Sequence, residues 1–95
     1  MQCKFPDFEK IIEGCKIKIM LKFHRYGNSW IGCSDWKFWK KRLNGEVQEI
    51  WKAKDNEKFK EEIIDAINIL SMMYENANEW KSADIPAQES GEAQK

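Results

Sequence analysis

Four carboxylates carry the most pointed chemistry in this chain. Glu46 and Glu49 stand three residues apart, and so do Glu62 and Asp65. On a helix that spacing puts both members of a pair on one side, about one turn apart. Like charges so placed repel mildly, so neither pair is there to support its own helix. Hard oxygen ligands in this number suit Mg²⁺ or Mn²⁺. A Mg²⁺ held by a few carboxylates keeps waters and takes substrate phosphates as further ligands. That combination points to chemistry on phosphoric anhydrides.

Other chemistries find little support. Cys3, Cys15 and Cys33 are odd in number and widely spaced, with no C-x-x-C pair, so a zinc or iron–sulfur site is not expected. They read as free, mostly buried thiols of a reducing compartment. His24 is the only histidine, and no nucleophile motif surrounds any Ser or Cys. The chain has neither G-x-G-x-x-G nor a P-loop. If it is an enzyme, carboxylates must do the work.

The elements that position these acids are helical. Between Pro6 and Pro86 there is no proline, and apolar residues recur at three- and four-residue intervals without strict alternation. The spacing predicts a first helix from about Asp7 to Arg25, with Asp7 as cap and Phe8, Ile12, Cys15, Ile19 and Phe23 as its stripe. Tyr26 to Ser29 reads as its stop, with Gly27 suited to a left-handed position. A second helix is expected from Ser34 or Asp35 to about Lys54. Its stripe is Trp36, Trp39, Leu43, Val47, Ile50 and Trp51, running unbroken through Asn44-Gly45. Asp55 then caps a third helix reaching Glu79 or Trp80, with Phe59, Ile63, Ala66, Ile67, Leu70, Met73 and Tyr74 as its stripe. Residues 1–80 thus read as one all-α helical domain, and 81–95 as a disordered tail with almost nothing to bury.

At about 100° per residue the acids can be placed against these stripes. Centring the second stripe near Trp36 and Leu43 puts Glu46 roughly 80° to one side and Glu49 roughly 140° to that same side. Centring the third at Phe59 and Leu70 puts Glu62 roughly 65° and Asp65 roughly 125° away, with the same hand. Glu46 and Glu62 then border the buried seam, and Glu49 and Asp65 lie just outside it. The short turn forces an antiparallel hairpin, whose two-fold relation keeps flanks of equal hand on one side. Each pair stands about 12 Å from the turn. Four carboxylates therefore converge at one level. Two charges about 4 Å apart repel by about 4 kcal/mol at an effective dielectric near 20. Protonation or a cation must relieve that.

Glu46-x-x-Glu49, twelve intervening residues and Glu62-x-x-Asp65 resemble the signature of the all-α nucleoside triphosphate pyrophosphohydrolases, the MazG-like group. The segments RLNGEVQEIWKA and EKFKEEIIDAINIL read like the two motif helices of that family. The resemblance covers about Trp30 to Tyr74; residues 1–29 and 81–95 show none, and Gly45 stands where a larger residue is usual. It implies Mg²⁺-dependent cleavage (Mn²⁺ as an alternative ion) of a nucleoside triphosphate between the α and β phosphates, giving a monophosphate and pyrophosphate. It implies that Glu46, Glu49, Glu62 and Asp65 ligate the metal, and that Glu46 or Glu49 orients or deprotonates the attacking water. It also implies a homodimer or homotetramer in which this hairpin and N-terminal helix complete a four-helix-bundle-type domain. A small core that gains from association agrees with that.

Substrate contacts follow more loosely. Trp30, Trp36 and Trp39 precede the first acid pair and can stack a base, although Trp36 and Trp39 also fit core packing. His24 and Asn28 border the same loop and can hydrogen-bond a base edge or cap the chain. Lys54, Lys58 and Lys60 lie around the turn and can meet phosphates or simply stay solvated.

Composition bounds the alternatives. The 95 residues hold 16 Lys+Arg and 16 Asp+Glu, for a net charge of zero. That argues against nucleic-acid binding and against a polybasic membrane anchor. No stretch reads as a transmembrane helix or signal peptide, so a cytoplasmic location is expected. The charge is uneven: residues 55–80 carry two bases and seven acids, whereas residues 1–34 and 35–54 each carry six bases and three acids. An acidic third helix needs basic neighbours, a cation, or both. The competing reading is a non-enzymatic helical interaction module that treats the acids as surface. A helix-turn-helix DNA binder fits poorly, because its third helix would face phosphates.

Overall fold

The computed structural model describes residues 3–81, 84 and 85, with the side chains of residues 23–26 left aside. Among them the chain is all-helical: α1 (Phe8–Tyr26), α2 (Trp36–Lys52) and α3 (Asn56–Ala77), with no strand. The expected tail lies outside the described residues except at 81, 84 and 85.

Local chemistry sets the helix ends. Asp7 Oδ1 accepts from the Lys10 N–H at 3.1 Å and caps α1. Gly27 takes a left-handed φ of 54° just past Tyr26, where a side chain would be strained. Asp35 accepts from the N–H groups of Lys37 and Phe38, and Asp55 from that of Lys58. Only residues 53–55 separate α2 from α3, which folds the two helices back as a hairpin. The α2 helix runs straight through Gly45, as the unbroken stripe requires.

The α2 and α1 helices both pack on α3, which is thus the central element. The apolar core is small: Cys15, Trp39, Ala66 and Ile69 are its buried members among the described residues. The bonded contacts of Asn68 and Asn76 extend it. Asn68 Nδ2 donates to the Cys15 carbonyl at 3.1 Å, tying α1 to α3.

The face that α3 buries differs from the apolar stripe read along it. The buried positions are Glu62, Asp65, Ala66, Asn68, Ile69 and Asn76. Phe59, Leu70 and Tyr74 are exposed, Tyr74 at 74%. The buried face is turned by roughly a quarter turn toward the acid side. Asp65, expected just outside the seam, is only 8% exposed. Hydrophobic periodicity weighs only the helix's own side chains. The countercharges of Asp65 come from α1, and no pattern along α3 reveals them. On α1, Cys15 is buried as expected, but Phe8, Ile12 and Ile19 of the expected stripe are exposed. On α2, Trp39 is buried, whereas Trp51 stands 75% exposed. Of the three free cysteines only Cys15 is buried; Cys3 is exposed and Cys33 half-buried.

Candidate metal centre and its cleft

The hairpin brings three of the four acids together. One carboxylate oxygen from each of Glu46, Glu62 and Asp65 lies within 4.8 Å of the others. Glu62 and Asp65 are buried and Glu46 half-buried. Glu49 is exposed and stands apart from this group. The three are all hard oxygen donors, a set that fits Mg²⁺ or Mn²⁺ and offers nothing to a softer ion.

Lysines neutralise part of this charge. Lys22 Nζ lies 3.2 Å from Asp65 Oδ1, and Lys18 Nζ lies 3.6 Å from the same oxygen. Lys18 also approaches Glu61 at 3.8 Å. Lys58 reaches one turn along α3 to Glu62 Oε1 at 3.2 Å. The basic neighbours of the acidic third helix therefore come from α1 at Asp65 and from α3 itself at Glu62. Burial pushes the Glu46 carboxyl above its ordinary range, and the nearby Asp65 charge adds to that, while Lys22 and Arg42 pull the other way. The hydrogen bond from Lys58 to the Glu62 carboxylate raises the Lys58 ammonium's proton affinity, and the charge attraction of Glu62 adds to it.

Beside the acids opens a cleft of about 520 Å³. Its polar lining includes Glu46, Asp65, Lys18, Lys22 and Arg42, and its apolar lining includes Trp30, Phe38, Trp39 and Met72. The loop between α1 and α2 is fixed from α3. Asn76 Oδ1 accepts from the Gly32 N–H at 2.8 Å, and Asn76 Nδ2 donates to the Trp30 carbonyl at 2.9 Å. The Cys33 carbonyl accepts from the indole N–H of Trp39 at 3.0 Å and from that of Trp80 at 3.4 Å. Gly32 adopts φ 81°, a left-handed turn that lets its N–H face Asn76. These bonds hold Trp30 at the cleft.

The substrate-binding candidates divide. Trp30 lines the cleft, and Trp39 lines it while serving the core. Trp36 does not; the ammonium groups of Lys37 and Lys40 sit 5.7 and 5.9 Å from its ring. Asn28 is exposed and outside the lining, its carbonyl accepting from the Ile31 N–H at 3.1 Å. Lys54 and Lys60 are exposed near the hairpin turn, away from the cleft, and Lys58 is engaged by Glu62. His24 belongs to the last turn of α1, and its side chain lies outside the described residues.

Several lining groups were not singled out from the sequence: Lys18, Lys22, Phe38, Arg42 and Asn68. One signal was available for the lysines. Lys18 and Lys22 are four apart on a basic segment that had to meet an acidic one.

Set against protein-family models, curated proteins and solved structures, the chain matches none of them.

Proposed function

We propose that this chain is a Mg²⁺-dependent nucleoside triphosphate pyrophosphohydrolase of the MazG-like type. It would cleave an NTP or dNTP between the α and β phosphates to a monophosphate and pyrophosphate. The observation that carries the reading is the meeting of three carboxylates with an aromatic-walled cleft that also holds cationic side chains. Neither half alone would point to a nucleotide. Together they offer a place for a base, for a polyphosphate and for a divalent ion.

Glu46, Glu62 and Asp65 would hold the ion, with Glu49 completing the set from the exposed flank of α2. A bound Mg²⁺ supplies charge neutralisation of the phosphates and a lowered pKa for the attacking water. Glu46 or Glu49 would orient the attacking water and accept its proton, with pyrophosphate as the leaving group. Trp30 and Phe38 offer ring faces to the nucleobase. Phe59, Leu70 and Tyr74 leave a bare apolar face along α3, which supports assembly into a homodimer or homotetramer that completes a four-helix bundle.

A panel of NTPs and dNTPs with Mg²⁺, scored for pyrophosphate, tests the reading. Release from at least one of them, abolished by EDTA, is expected. The competing reading, a helical interaction module, draws on the same bare apolar face and on ion pairs that neutralise the acids without any metal. No release from any nucleotide would favour it.

A further inference from the structure

The acid cluster carries its own cation on a flexible arm. Lys22 donates to Asp65 Oδ1 at 3.2 Å, from α1 to a helix 43 residues further along the chain. Asp65 is nearly buried, whereas the Lys22 side chain is 37% exposed and lines the cleft. Its four-carbon stem lets the ammonium swing without moving the helix. Lys18 differs: it is more buried and has Glu61 as a second partner. Among the ion pairs of the described residues, Lys22 has Asp65 alone.

A carboxylate bound to a hard dication is a poor host for an ammonium at the same oxygen, since two like charges would then face each other within a few ångströms. Lys22, Asp65 and Trp30 line the same cleft. A nucleotide held there with its base at Trp30 and its phosphates at the acids has Lys22 in the same lining. We infer that Lys22 serves two anions in turn: Asp65 while the acid cluster carries no divalent ion, and the substrate's phosphate chain once Asp65 is engaged by one. Lys22 is then a substrate-binding residue contributed by α1, outside both acid pairs, and a competitor of the metal in the resting chain. This rests on the hydrolase reading above.

The two roles have opposite signs on removal. In Lys22→Gln, Mn²⁺ alone, titrated calorimetrically without nucleotide, binds about three- to fivefold tighter, because an exposed ion pair no longer competes. With Mg²⁺ and the nucleotide that the wild type turns over, KM rises about tenfold, the effect of one charge-assisted hydrogen bond, while kcat changes far less. Lys22→Arg keeps the charge and stays near wild type in both measurements. A merely structural lysine would weaken both bindings when removed. Weaker Mn²⁺ binding, or an unchanged KM, in Lys22→Gln overturns the inference while a wild type that binds Mn²⁺ and releases pyrophosphate keeps the hydrolase reading. A wild type that does neither overturns both.

Discussion

The two faces of α3 are treated in opposite ways. One face carries Glu62 and Asp65 and is buried against α1 and α2; the other, about a quarter turn round, carries Phe59, Leu70 and Tyr74 and is exposed. Maximising stability alone would turn the helix the other way, since burying an acid costs free energy and burying a Leu or Tyr gains it. The orientation is held by Ala66 and Ile69 in the core, by Asn68 and Asn76 as bonded clamps, and by two lysines facing Asp65. The difference teaches that the packing of α3 gathers its acids beside the lysines of α1 and leaves its apolar stripe in solvent. Among the described residues only four apolar side chains are buried.

The comparison can be broken at either face. The largest effect is expected from Asp65→Asn, which should lower pyrophosphate release at least about a hundredfold, the scale of losing one electrostatic group at a reacting centre. Circular dichroism should show the helices retained. Next is the double substitution Leu70→Lys with Tyr74→Lys. Light scattering at micromolar concentration should show the assembly falling to single chains, because two desolvated charges would be needed to keep the contact. A wild type that is already monomeric would refute the assembly.

Glu46→Gln sharpens the acid side. In the fold the Glu46 carboxyl holds its proton above its ordinary value of 4.5, so the folded chain binds more protons than the unfolded one just above that value. Stability then falls as pH rises through this window, and Glu46 costs stability at neutral pH but not below 4.5. Glu46→Gln should therefore raise the metal-free melting temperature at pH 7, with the gain shrinking as the pH approaches 4.5. An equal gain at both pH values would contradict this. The smallest effect belongs to Gly45→Ala. A Cβ there meets nothing within 4 Å, so the substitution should stabilise α2 by about 1 kcal/mol through helix propensity, in urea unfolding.

The helices were legible because their punctuation is local. Asp35 and Asp55 cap where their side chains reach back to the next turn, and Gly27 stops α1 because it alone tolerates the left-handed conformation. The nearness of Glu46, Glu62 and Asp65 was legible too, since helix period and a short turn fix height and side. The rotation of α3 was not, because it depends on what α1 brings. Lys18 and Lys22 read as ordinary charges on their own helix, and their meaning comes from Asp65, more than forty residues away. Asn76 was equally silent: it fixes the Trp30 loop through bonds that no spacing along α3 announces.

The central claim is that native Glu46, Glu62 and Asp65 hold a divalent ion. Thermal unfolding with Mg²⁺ against EDTA tests it most directly, in the wild type and in a variant carrying Glu46→Gln, Glu62→Gln and Asp65→Asn together. An ion present at ten times its dissociation constant stabilises by about 1.4 kcal/mol, which for a domain of this size is several degrees. The account predicts that shift in the wild type and none in the triple variant. Coincident wild-type curves with Mg²⁺ and with EDTA, or an equal rise in both proteins, would contradict it.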